Sequence, residues 1–95
     1  MKKFMMLHYG FEKPTPEIIA AWGKWFEVTK PHTVDMGGLG SGREISKSGT
    51  KDLPLGPESV TGFTLVNAAS LDEAEKMAQG NPFIASLRVY EVRSG

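Results

Sequence analysis

The sequence of 95 residues has no cysteine, only two histidines and no excess charge, since 11 basic residues balance 11 acidic ones. Without cysteine no disulfide can form, and two histidines at no motif spacing argue against a built-in zinc site. Scattered, balanced charge argues against a nucleic-acid partner. No apolar run is long enough to span a membrane, and Met1 leads directly into a strand-like pattern rather than a signal peptide. We therefore expect a cytoplasmic protein with no metal, cofactor, nucleic-acid or membrane partner.

The length predicts one domain, residues 1–95. A chain this short buries only somewhat more than ~60% of its unfolded surface, so a core built from one copy is marginal. Because no disulfide is available to help, a partner subunit is one way to supply the missing burial.

The first part of the chain predicts a buried strand and then an amphipathic helix. Residues 4–9 are apolar except for His8, and a run this short favours a strand covered on both faces. Thr15 and Pro16 are typical of a helix N-terminus. The apolar stripe that follows has spacings of three and four: Ile18, Trp22, Trp25, Phe26 and Thr29.

The middle of the chain is harder to interpret. Pro31 should end or kink the helix, and Val34 with Met36 can extend the apolar stripe beyond the kink to a stop at Gly37. The glycine-rich residues 37–42 follow a helix and lack a phosphate-loop signature, so they indicate a flexible turn. We expect residues 43–48 to form an edge strand and residues 49–59 to form a loop.

The second half repeats the strand–helix–strand pattern. Residues 60–68 are rich in β-branched and aromatic side chains, and Ser70 with Glu73 forms a capping box before a helix that stops at Gly80. A last strand is expected from about residue 86 to residue 93. The order β-α-β-β-α-β predicts an α+β, ferredoxin-like fold, a four-stranded antiparallel sheet with both helices on one face.

This arrangement leaves the other face of the sheet uncovered, although the strands carry more apolar groups than two helices can cover. Two such faces packed together would bury the surplus. We therefore expect a homodimer that forms one α/β barrel with a cavity inside. The apolar groups concerned are Phe4, Met5, Met6, Leu7, Phe63, Leu65, Val66, Val89, Tyr90 and Val92.

Five stretches of the sequence carry a family resemblance: the first strand Phe4–Gly10, the segments 61–66, 70–74 and 80–83, and the C-terminal run Arg88–Val92. Through these stretches the chain resembles the YCII-related (DGPF-domain) family over nearly its whole length. The resemblance implies a dimeric α/β barrel. It implies little about activity, although one branch of the family resembles a dehydrochlorinase that acts on chlorinated hydroxyquinols.

Part of that family carries a His–Asp pair, and this sequence departs from it. The matching positions are Trp22 and Asn81, neither of which titrates near neutral pH, so the acid–base pair is absent. The segment Leu55–Glu58, Leu-Gly-Pro-Glu, stands in place of the family's Asp-Gly-Pro-Phe tetrad. These departures weaken the case for the family's suspected chemistry in this chain.

The candidate ligand-binding residues are His8, Arg88, Tyr90, Trp22 and Arg43. If the face of the last strand that carries Arg88 and Tyr90 lines the cavity, both would meet His8 in a cluster suited to a phenolic or anionic molecule. Trp22 could stack on an aromatic ligand, but its helical spacing favours the core. Arg43 could bind a carboxylate, with a solvated edge charge as the alternative. His32 is a weaker candidate, and no catalytic residue can be named.

Two functions remain open. The first is a homodimer that binds a small organic molecule in its barrel, with cofactor-free catalysis as an option; this predicts a polar-lined pocket containing His8. The second is a non-catalytic interaction or regulatory module with a packed dimer core, which predicts no cavity approaching ~300 Å³.

Overall fold

The computed structural model describes residues 1–10 and 13–93. A turn of 3-10 helix, Lys30–His32, follows the first α-helix. The elements in chain order are β1 (Lys2–Tyr9), α1 (Pro16–Thr29), β2 (Thr33–Gly38), β3 (Gly42–Ser46), β4 (Gly49–Leu53), β5 (Val60–Ala68), α2 (Leu71–Gln79) and β6 (Ser86–Glu91).

The ferredoxin-like fold class is confirmed. Four strands form an antiparallel sheet in the order β2-β5-β1-β6, with both α-helices on one face. The core lies between this face and the helices. Its buried members are Phe4 and Met6 from β1, Val66 and Ala68 from β5, Trp25 from α1, and Ala74 and Ala78 from α2.

Both helices begin where their capping residues predict. The hydroxyl of Thr15 accepts a hydrogen bond from the backbone N–H of Ile18 at 3.2 Å. The hydroxyl of Ser70 does the same for Glu73, also at 3.2 Å. Each cap satisfies one of the N–H groups that a helix N-terminus leaves without an intrahelical partner, so local sequence sets the start of each helix.

Of the two alternatives for Pro31, an end or a kink, the structure has the end, and α1 does not continue toward Gly37. The helix ends at Thr29, and Val34 and Met36 belong to strand β2, which pairs with β5. The chain turns because the hydroxyl of Thr33 donates to the backbone oxygen of Thr29 at 3.0 Å, which satisfies a carbonyl at the helix end. The β-branched side chains at the start of β2 favour the strand.

Two further expectations for the middle of the chain need correction. The strand predicted at residues 43–48 is present as β3, but it lies outside the four-stranded sheet, and the start of the predicted loop is its partner strand β4 in a separate hairpin. Gly49 adopts φ +128°, a left-handed conformation that favours glycine and closes the hairpin turn. Every hairpin residue is exposed, and the Ile45 side chain is 83% exposed.

No helix of the described residues covers the second face of the four-stranded sheet, which we call the bare face. The protein is a slab with extents of 41 × 40 × 18 Å and a radius of gyration of 14.3 Å, against ~12 Å for a compact chain of this length. In residues 1–10 and 13–93, no helix is long and apolar enough to cross a membrane. The apolar side chains on the bare face are Met5, Leu7, Phe63 and Leu65, together with the partly exposed Tyr9 and Tyr90.

Candidate functional site

His8 lies on the helix-covered face of β1, directly opposite Gly62 of β5. Because Gly62 has no side chain, the imidazole lies over it; a Cβ at Gly62 would be 3.7 Å from His8 Cδ2. The ring reaches the diagonal neighbour Thr64, and His8 Nε2 and Thr64 Oγ1 share a hydrogen bond of 2.9 Å. A Cβ at Gly62 would meet the imidazole at ordinary contact distance, and its tight contact, at 3.1 Å, would be with the backbone oxygen of Gly37.

The environment of His8 keeps the imidazole neutral. The residue is only 6% exposed, and its Nδ1 atom is buried without a hydrogen-bond partner among the described residues. Burial lowers the pKa of His8 to about 4, because desolvation disfavours the charged form. An unpartnered buried nitrogen is costly, so it marks a position where a ligand group could be accepted.

Two aromatic side chains of α1 lie against this histidine, and a third packs against them. The ring centroids of Trp22 and Trp25 lie 5.1 and 5.9 Å from that of His8, both in edge-to-face geometry. Trp22 also packs at 5.5 Å from Phe26. Trp25 is buried, and its Nε1 donates to the backbone oxygen of Met77 at 2.8 Å, which ties α1 to α2. Trp25 is thus a core residue, whereas Trp22 is half-buried at the edge of an opening.

That opening is a cleft of about 300 Å³ between α1 and the end of the sheet where β2 and β5 pair, and we call it the His8 cleft. The register between β1 and β5 shifts next to His8, and the Thr61 hydroxyl donates to the backbone oxygen of Gly10 at 3.0 Å. A register shift of this kind often accompanies a functional site. The cleft is lined by His8, Trp22, Phe26, Met36, Gly37, Gly38, Thr61, Gly62, Phe63 and Thr64.

The expected cluster of His8 with Arg88 and Tyr90 does not form. In the pairing of β1 with β6, His8 lies opposite Leu87 and Arg88 lies opposite Leu7. Partners across an antiparallel pair share a face, so Arg88 and Tyr90 lie on the bare face while His8 lies beneath the helices. The prediction of this cluster is wrong, because the sheet separates His8 on one face from Arg88 and Tyr90 on the other.

Arg88 instead belongs to a cluster on the bare face. Its guanidinium carbon lies 4.8 Å from the centroid of the Tyr9 ring, within the range of a cation–π contact. The neighbouring phenol of Tyr90, followed by that of Tyr9, raises the pKa of Arg88 above its ordinary value. This cluster holds a permanent positive charge on the side of the sheet away from the His8 cleft.

The remaining candidates lie away from the cleft. Arg43 is exposed on the β3–β4 hairpin, where its Nε lies 3.2 Å from Oδ1 of Asp52. It borders an open depression of about 820 Å³ between the hairpin and segment 54–60, whose lining residues are all exposed or half-buried. His32 is half-buried in the 3-10 turn. The depression is larger than the His8 cleft, but it contains no buried polar group that would select a ligand.

Asn81 has a feature that the sequence did not indicate. It is only 4% exposed, and neither its side-chain oxygen nor its side-chain nitrogen has a partner among the described residues. It follows Gly80, where a Cβ would lie 3.7 Å from Trp25 Cδ1, so it lies near the tryptophan that contacts His8. The sequence shows only that this position has an amide in place of a carboxylate, since burial depends on tertiary packing that residue spacing does not reveal.

No group of three or more His, Cys, Asp or Glu side chains suited to a metal ion occurs within residues 1–10 and 13–93. The polar groups of the His8 cleft are the imidazole and two threonine hydroxyls. These groups can form hydrogen bonds with a small molecule, and the surrounding aromatic rings can pack against its apolar surface.

Comparison with known proteins gives the fold and no more. No family model matches the sequence, and no curated protein matches it. Among solved structures, the chain is similar to a 5-chloro-2-hydroxyhydroquinone dehydrochlorinase from Burkholderia phenoliruptrix in complex with 2,5-dihydroxybenzoquinone. The TM-score is 0.61 at 18% identity, over 98% of this chain and 95% of the other. The chain therefore shares the protomer fold of that enzyme, while membership of the YCII-related family stays a prediction.

Proposed function

We propose that this protein is a homodimer that binds a small aromatic molecule bearing oxygen substituents, and that the His8 cleft is its binding site. The observation that carries the proposal is the buried, unpartnered Nδ1 of His8 beside an aromatic-lined cleft of about 300 Å³. That volume reaches the lower end of the range for small-molecule sites. The solved structure with the same fold holds a dihydroxybenzoquinone, which supports this class of ligand.

The proposed site differs from the barrel interior expected from the sequence. His8 faces the helices, so the ligand would lie between α1 and the sheet rather than between two sheets. Because Nδ1 is buried near the half-buried Trp22 ring, a ligand would reach it when the indole shifts. The homodimer is proposed separately, to cover the bare face.

Size and charge support a second copy as the partner of the bare face. Four strands about 4.8 Å apart and up to nine residues long present roughly 600 Å² of projected sheet, close to the ~800 Å² that a stable interface buries per partner. Asp35 on β2 and Arg88 on β6 lie at opposite edges of this face. A two-fold axis parallel to the strands would bring Asp35 of one copy near Arg88 of the other.

Titration calorimetry with hydroquinone tests the proposed site. We expect saturable binding to the wild-type protein and at least a tenfold loss in Trp22→Ala, because the indole lines the cleft. The matched control is Phe83→Ala, which removes an exposed aromatic ring outside the His8 cleft and should leave binding unchanged. Absence of saturable binding, or wild-type affinity in a folded Trp22→Ala variant, would contradict the proposal.

A further inference from the structure

The His8 cleft has no charged group with which to meet a charged ligand. None of its lining residues in the described part of the chain is Lys, Arg, Asp or Glu. Its two hydroxyls have partners within the protein: Thr61 donates to the backbone oxygen of Gly10 at 3.0 Å, and Thr64 Oγ1 shares a hydrogen bond of 2.9 Å with His8 Nε2. The cleft therefore offers an anion neutral hydrogen-bonding groups and no positive charge.

The histidine does not supply a positive charge either. His8 is surrounded by the rings of Trp22 and Trp25 from α1 and by Thr64 of β5, none of which carries a charge. Its burial lowers its pKa to about 4, so the ring is neutral at neutral pH. A neutral imidazole still offers a hydrogen-bonding nitrogen, which suits a polar but uncharged ligand group.

The cation on the strand next to His8 is Arg88, and its side chain lies on the opposite face of the sheet. Arg88 is opposite Leu7, the residue that precedes His8, but its side chain is on the bare face against Tyr9. An anion in the cleft would thus be taken out of water without a counter-charge, which is among the most costly events in protein binding. An uncharged aromatic ring loses little hydration and gains contact with Trp22 and Phe26.

We propose that the His8 cleft takes its ligand in the uncharged form and rejects the ionised form. The ligand class is thereby narrowed from phenolic or anionic molecules to neutral phenols, quinones and their amides or esters. This inference rests on the proposed function, because it describes selectivity at the same site.

Two probes of nearly identical shape test this selectivity at pH 7: 4-hydroxybenzamide and 4-hydroxybenzoate. The first carries a neutral amide where the second carries a carboxylate. We expect calorimetry to give at least tenfold tighter binding of the amide. Equal or tighter binding of the benzoate would overturn the inference and leave the proposed function standing. Failure of both probes and of hydroquinone to bind would overturn the proposed function and this inference with it.

A variant that adds a charge gives an independent test. Met36 lines the cleft and is 45% exposed, while Val34 on the same strand is also 45% exposed and lies outside the cleft. Met36→Lys should improve benzoate binding by at least fivefold, and Val34→Lys should leave it unchanged. If neither lysine changes benzoate affinity, or both change it equally, the absence of local counter-charge is not what sets the selectivity.

Discussion

His8 Nε2 and Thr64 Oγ1 lie 2.9 Å apart and join β1 to β5 diagonally across Gly62. Both residues are buried. The bond satisfies a polar group on each strand inside the helix-covered layer, where an unmade hydrogen bond has no water to replace it. Stability and site geometry therefore depend on the same contact.

Replacing Thr64 with valine keeps the shape of the side chain and removes the hydroxyl. We expect Thr64→Val to lower the free energy of unfolding by about 1 to 3 kcal/mol, because Nε2 is left buried and unpartnered. Denaturant unfolding measures the change. In a His8→Phe background the same substitution should cost much less, since no imidazole is left unpaired. Equal costs in both backgrounds would show that the hydrogen bond contributes nothing.

Stability should fall in mild acid because of His8. The pKa of His8 is about 4 in the folded protein, and the ordinary value is 6.5. Below pH 6.5 the unfolded chain binds a proton that the folded chain refuses, so the stability present above pH 6.5 declines until about pH 4. We expect roughly 1 to 3 kcal/mol less stability at pH 4 from this group.

Denaturant unfolding at a series of pH values measures this decline. A His8→Gln variant should have a flatter profile between pH 6.5 and pH 4 than the wild-type protein. A His8→Gln profile as steep as wild type would assign the acid sensitivity to carboxylates instead.

The two tryptophans should differ in their effect on stability. Trp25→Phe removes the bond from Nε1 to the backbone oxygen of Met77 and leaves that carbonyl without its partner. We expect a loss of about 1 to 3 kcal/mol in thermal or denaturant unfolding. Trp22→Phe, at a half-buried position, should lose less than about 1 kcal/mol. If Trp22→Phe lowers stability more than Trp25→Phe, the ring at the cleft contributes more to stability than the contact between the two helices.

The proposed dimer can be tested by exchanging charges. Asp35→Lys should weaken self-association, because the introduced lysine would face Arg88 of a second copy in the proposed arrangement. Arg88→Glu alone should weaken it for the complementary reason, and the double variant Asp35→Lys with Arg88→Glu should restore it. Sedimentation equilibrium measures the dissociation constants. A wild-type monomer, or single and double variants that associate alike, would contradict this arrangement.

The fold class is predictable from the sequence because the patterns that indicate it are local. The caps at Thr15 and Ser70 start two helices, and the apolar runs of β1 and β5 are strong strand patterns. Strand β4 was missed because its sequence, Gly-Thr-Lys-Asp-Leu, has no apolar face to bury. Strand β2 was missed because Met36 also fits the helical stripe that precedes Pro31.

The site was only partly predictable, for a different reason. Alternation along β1 correctly places His8 on one face with Phe4 and Met6, but it cannot say how β6 is aligned with β1. A shift of one residue moves Arg88 and Tyr90 to the other side of the sheet, and that alignment is set by tertiary packing. The buried amide of Asn81 was hidden for the same reason.

Gly62 has a consequence for how this site could have arisen and could disappear. A methyl group at this position would lie 3.1 Å from the backbone oxygen of Gly37 and against the imidazole of His8. A single nucleotide change that converts glycine to a larger residue would thus disturb the cleft while leaving the strand order and the helix caps in place. Chains that share this fold can therefore differ in whether they have this cleft. When a binding function is inferred for one such chain from another, residue 62 is the first position to compare.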